Sequence, residues 1–143
     1  MTTSLNLVVR RTINARPDRL FDAWTTASQL QAWWGPKGVR CTHAEVDARV
    51  GGLYRIANEL PTGQIVWIEG EFLEVAPPSR LVYTWNVSPG ESRGEIVTVR
   101  FEARGDQTEV IVVHERICDE ATRETHSVGW VGCLDGLTRA INS

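Results

Sequence analysis

The run from Leu5 to Ile13 is apolar and β-branched and predicts a first strand, ended before Pro17. Pro17 suits the first position of a helix, Asp18 and Asp22 lie toward its positive end, and Leu20, Phe21 and Trp24 give it one apolar face. Arg16 falls at the N-cap, where it offers no acceptor, so the first turn is expected to fray. Thr26 or Ser28 can cap a second short helix carrying Leu30, Trp33 and Trp34, which Gly35-Pro36 stops. From Val39 to Arg116 the pattern changes to period two, broken by turns at Gly51-Gly52, Pro61-Thr62-Gly63, Pro77-Pro78, Pro89-Gly90 and Gly105-Asp106. That spacing predicts about six strands in an antiparallel meander. After Asp119, a candidate N-cap, Trp130, Leu134, Leu137 and Ile141 recur at helical spacing and predict an amphipathic terminal helix.

Two hairpins can be registered from their turns. Closing the first at Ala76-Pro77-Pro78-Ser79 sets Phe72 opposite Tyr83 and Gly70 opposite Trp85, so Ile68, Gly70, Phe72, Tyr83 and Trp85 share a face. Gly70 then leaves space for the indole, and Glu69 and Glu71 point the other way, toward Asn86 and Thr84. Closing the second at Arg104-Gly105-Asp106-Gln107 pairs Phe101 with Val110, Val99 with Val112 and Val97 with His114. Glu102 and Glu109 meet outside as a mildly repulsive, solvated pair. A slip of one residue would invert every assignment.

The chain has 143 residues, room for one domain spanning 1–143 with a sizeable core and no need of a staple. A net charge of −3 with interspersed signs, and no basic run, argues against nucleic acid. Three cysteines (Cys41, Cys118, Cys133), none in a C-x-x-C pair, argue against a disulfide framework or zinc site and fit a reducing cytoplasm. The N-terminus lacks a signal-peptide core, and no apolar run is long enough to span a membrane. Six tryptophans against two tyrosines and three phenylalanines are unusual, since large rings fill cores and line ligand cavities.

A sheet of this size must cover its apolar face, and one terminal helix is narrower than the sheet, so a space should remain between them. The order of one strand, two short helices, six strands and a long helix resembles the α+β helix-grip fold. That fold is a curved antiparallel sheet of six or seven strands around a C-terminal helix, shared by lipid-transfer START domains, polyketide cyclases and the birch-pollen allergen in the SRPBCC superfamily. Trp33-Trp34-Gly35-Pro36, the stretches from Asp47 to Gly52 and from Val75 to Trp85, and Gly129-Trp130 resemble the branch related to the activator of the heat-shock-protein-90 ATPase. These motifs read as structural: the indoles wedge against the sheet edge, and around Gly51-Gly52 Asp47 or Arg49 holds a backbone group while glycine supplies positive φ. Fold does not fix function.

No nucleophile elbow, dinucleotide fingerprint, P-loop or H-E-x-x-H occurs, and His114 and Glu115, adjacent on a strand, point to opposite faces. Cys41 and His43 can share a face but lack a third ligand. No catalytic residue, metal ligand or cofactor is assigned. The expected function is binding of a small apolar or aromatic ligand between sheet and helix. Its candidate lining is Tyr54, Ile68, Phe72, Tyr83, Trp85, Val97, Val99, Val112, His114, Trp130 and Leu134, with His114 either a polar anchor or an imidazole satisfied by a backbone carbonyl or water. The alternatives are a protein-interaction module, as a homodimer through a sheet edge near Trp33-Trp34 or with a chaperone partner, and a cyclase-like or hydrolase-like enzyme. The enzyme would require a titratable pair facing the cavity.

Overall fold

The computed structural model describes residues 4–36, 38–90 and 92–142. Strand β1 (Leu5–Ile13) leads into helices α1 (Pro17–Thr25) and α2 (Ala27–Trp33). Then come β2 (Arg40–Val46), β3 (Leu53–Glu59), β4 (Ile65–Ala76), β5 (Arg80–Ser88), β6 (Glu95–Arg104), β7 (Gln107–Ile117) and α3 (Glu120–Asn142). The strands form one antiparallel sheet in the order β1-β7-β6-β5-β4-β3-β2, so β2 to β7 make a meander and β1 extends it beside β7. With α3 lying along its concave face, this is the helix-grip architecture. Among the described residues no helix is long and apolar enough to cross a membrane.

Helix starts follow the side chains available. Arg16 and Thr26 make no side-chain cap bond to α1 and α2. Asp119 does cap α3, its Oδ1 accepting the Thr122 N–H at 2.8 Å.

The β6–β7 register is as the turn dictates, with Phe101 opposite Val110, Val99 opposite Val112 and Val97 opposite His114. Glu102 and Glu109 are paired too, but the Arg104 guanidinium bridges them at 3.1 and 2.9 Å, so the repulsion expected between them is answered. On β4–β5, Phe72 faces Tyr83 and Glu69 faces Asn86 as expected, by a longer route. The ladder begins with Ala76 opposite Arg80, one residue beyond the anticipated closure, and a bulge at Leu73 takes the extra residue back. Gly70 has a different reason from the one expected. A Cβ there would lie 2.0 Å from the Thr84 carbonyl oxygen, so glycine admits the neighbouring backbone rather than the Trp85 indole.

Three local expectations are corrected. A register shift between Cys41 and His43 buries the thiol and leaves the imidazole outside, so the two do not share a face. Asp47 and Arg49 hold each other, at 2.8 Å, rather than a backbone group, although Gly51 does take positive φ (83°). Trp33 and Trp34 are turned inward. Their indole N–H groups donate to the Ala23 carbonyl (2.8 Å) and to Asn58 Oδ1 (3.1 Å), which removes them from any surface at the β2 edge.

The core lies between the sheet and the helices. Val97, Val99, Phe101, Val110 and Val112 meet Trp130, Leu134 and Leu137 of α3 and Leu20, Phe21, Trp24 and Leu30 of the short helices. Gly136 sets how closely α3 approaches α2, since a Cβ there would lie 2.5 Å from the Trp33 carbonyl oxygen. Five tryptophans are buried, whereas Trp67 lies under the Arg55 guanidinium at 4.0 Å.

Candidate functional site

Apart from His114, the candidate lining residues divide into three groups. Val97, Val99, Val112 and Leu134 are fully buried core. Tyr54, Phe72 and Tyr83 form a ring cluster with centroids 5.1–5.7 Å apart, around a void of about 20 Å³, room for a single water at most. The space expected beneath the middle of the sheet is therefore filled. Trp85 lines both this void and, with Ile68 and Trp130, a different space, an open apolar cleft of about 360 Å³ between the first half of α3 and strands β3 to β5. Ligand pockets begin near that size. His114 belongs to neither space; it sits behind Trp130, fully buried.

The cleft exists because α3 is narrower than the sheet it covers. Val66 and Ile68 on β4, Val87 on β5 and Val39 before β2 supply aliphatic walls, and Trp34, Trp85 and Trp130 supply flat ones. Trp85 and Trp130 approach to 5.4 Å between centroids from the sheet and the helix. Gly129 leaves the helix wall bare, because a Cβ there would meet nothing within 4 Å. Few polar groups enter. The Asn58 amide oxygen accepts from Trp34, and His126 reaches the cleft from α3. The Cys133 thiol also lines it, but burial raises its pKa to about 12, so it is no nucleophile at neutral pH. The indole N–H of Trp85 has no partner among the described residues, a cost of about 1–3 kcal/mol carried by this wall.

Behind that wall lies a polar cluster. Glu95 Oε1 is 2.7 Å from His114 Nε2 and 2.9 Å from His126 Nε2, and the imidazoles stack at 4.4 Å. Burial alone would raise the Glu95 carboxyl; hydrogen bonds from the two histidines outweigh it and hold the pKa near 2. Glu95 is thus a carboxylate that only accepts, and both Nε2 atoms carry hydrogen. On the other side of His114, Nδ1 accepts the Trp130 indole N–H at 3.0 Å. Burial lowers the His114 pKa, against the pull of Glu95, so the ring is neutral and its contact with Glu95 is a hydrogen bond rather than an ion pair. The imidazole is satisfied by side chains, not by the backbone carbonyl or water expected of it.

The same protons decide what the cluster can hold. Its three donor atoms lie within 4.8 Å of one another. A metal on His114 Nε2 would need the ring's proton on Nδ1, where it would confront the Trp130 N–H. The arrangement suits a hydrogen-bonded carboxylate and not a cation. Side-chain exposure separates the two histidines, at 0% for His114 and 11% for His126, so His126 alone presents this cluster to the cleft.

Glu95, His126 and Asn58 were not among the residues singled out from sequence. Two of them carried a signal. Glu95 lies two residues before Val97 on the registered strand, hence on the same inward face, and Asn58 continues the alternation Tyr54, Ile56. His126 precedes Trp130 by one helical turn, but nothing in the sequence aligns that turn with β6.

A family model described as Activator of Hsp90 ATPase homolog 1-like protein matches residues 14–142. Among solved structures, a protein from Chromobacterium violaceum is similar with a TM-score of 0.88 at 28% identity, over 96% of this chain and 97% of its own. One from Silicibacter pomeroyi is similar with a TM-score of 0.83 at 25% identity, over 96% and 98%. An HSP90 activator from Plasmodium falciparum reaches 0.76 at 24% identity, over 96% of each chain, which is a likeness of fold. No curated protein matches the sequence.

Proposed function

This chain belongs to the family of Activator of Hsp90 ATPase homolog 1-like proteins, and within it we propose that the chain binds a small, largely apolar ring compound in the cleft between α3 and strands β3 to β5. The observation that carries this reading is the cleft itself: about 360 Å³, walled by Trp34, Trp85 and Trp130, with Asn58 and His126 as its polar points. Flat walls and few polar groups favour flat, apolar ligands.

The test uses 2-methoxynaphthalene, a neutral ring probe, measured by calorimetry and thermal shift. Twelve heavy atoms at a few tenths of a kcal/mol each give a Kd of roughly 10 μM, about −7 kcal/mol. Gly129→Leu projects a side chain into the cleft from a position with no neighbour within 4 Å, so it should abolish binding while the melting temperature holds or rises. Unchanged binding in that variant would remove the cleft as the site.

A protein partner is the second reading. Val128 and Val131 are exposed on α3, Val128 at the cleft wall, where another chain could cover them. A homodimer in light scattering that Val131→Lys dissociates would favour it; a monomer at high concentration would oppose it for self-association.

A further inference from the structure

The cleft's polar chemistry narrows the ligand class, and this step rests on the binding proposed above. His126 lies on the cleft wall with its Nε2–H committed to Glu95 at 2.9 Å. Ser92 Oγ stands farther off, 3.4 Å from the same nitrogen. With Nε2–H given to Glu95, the other nitrogen, Nδ1, offers a lone pair whenever the imidazole is in its neutral form, and among the described residues no hydrogen bond is made to it. The groups packed around the ring are Glu95 on β6, His114 on β7, Trp85 on β5 and Ser92 in the loop before β6. Each offers something to Nε2 or to the ring face, and none supplies a donor to Nδ1.

We infer that the ligand is a ring compound bearing a weakly acidic hydroxyl, a phenol or enol, which it donates to His126 Nδ1. The resulting chain runs from the ligand O–H to Nδ1, and from Nε2–H to the Glu95 carboxylate. Each hydrogen bond polarises the next, and a fixed negative charge terminates the chain in a water-poor wall. A ligand carboxylate fits this position badly, because it would bring a second negative charge toward Glu95 and leave its own hydration behind. A hydroxyl enters neutral. The second imidazole has a separate role: His114, held neutral by Trp130, gives Glu95 a second hydrogen bond and keeps it fixed opposite His126.

Paired probes test this at pH 8, comparing 2-naphthol with its methyl ether 2-methoxynaphthalene and with 2-naphthoate. The hydroxyl should bind about five- to tenfold more tightly than the ether, as one net hydrogen bond provides, and the carboxylate more weakly than either. His126→Gln keeps an N–H for Glu95 but no basic nitrogen, and should bring the naphthol-to-ether ratio within twofold. Should that variant not fold, the wild-type ratio and the near-ultraviolet spectrum of bound 2-naphthol, red-shifted as its O–H is donated, still decide. Equal affinity for naphthol and ether overturns the hydroxyl and leaves the cleft reading intact. Tightest binding of naphthoate overturns it too, and binding of none of the three overturns both.

Discussion

The Trp130 indole N–H points at His114 Nδ1 from 3.0 Å, and because an indole only donates, it fixes where the imidazole keeps its proton. Protonating His114 would set two N–H groups against each other inside the core. The histidine is thereby kept neutral beside a carboxylate, a pairing that would ordinarily favour its charged form.

Trp130→Phe keeps the ring and deletes the N–H, stranding Nδ1. The expected cost is about 1–3 kcal/mol in urea unfolding. Trp130→Ala, which also opens a cavity, should cost about 3–5 kcal/mol. In wild type the His114 ring resonances should stay in place on acidification from pH 8 to 6, where a free imidazole titrates. In Trp130→Phe they should begin to move.

Stability should fall on both sides of a neutral plateau. His114 has a folded pKa below the ordinary 6.5, so the unfolded state binds the extra proton and stability drops as pH falls below about 6.5. Glu95, lowered from 4.5 to about 2, adds a second loss between those two values. On the alkaline side burial raises Cys133 to about 12 and Tyr83 well above 10, so stability is lost as pH rises past 9 and then 10, where the unfolded groups ionise. Chemical unfolding across pH checks each limb. Glu95→Gln should abolish the lower acid step and spare the one at 6.5.

Alanine at two glycines of one helix should have opposite signs. At Gly136 the new Cβ meets the Trp33 carbonyl oxygen at 2.5 Å, and α2 and α3 must part at a cost of about 1–3 kcal/mol. At Gly129 it meets nothing, and helix propensity alone should stabilise by up to about 1 kcal/mol. Thermal unfolding of the pair reads the difference.

Arg104→Ala removes the bridge between Glu102 and Glu109. All three lie on the outer face, so the loss should stay below about 1 kcal/mol and shrink as salt is added. A cost of several kcal/mol would mean that the outer face contributes more than screened charge.

Periodicity and turn chemistry made the fold legible in the sequence. The strand Leu5–Ile13, the helix starting at Pro17 and the β6–β7 register follow from residues close together in the chain. The pocket did not follow, because filling depends on volumes brought from several elements. Trp24 of α1 and Leu30 of α2 help close the space beneath the sheet that period-two alternation left apparently empty. The polar cluster was hidden for a related reason. Glu95 reads as an ordinary strand-end glutamate until a helix residue thirty-one positions later lies against it. Bulges were equally silent, and Thr42 and Leu73 each insert a residue that no turn rule announces.

The bulge at Leu73 offsets one residue of the turn that follows strand β4. Between them, the loop at Pro77-Pro78 adds a residue and Leu73 removes it, so the positions upstream keep their phase. A descendant that lengthened or trimmed this loop could restore the phase by gaining or losing one such insertion, and Ile68 and Trp85 would still face the cleft. A one-residue change in this loop is thus buffered from the cleft wall.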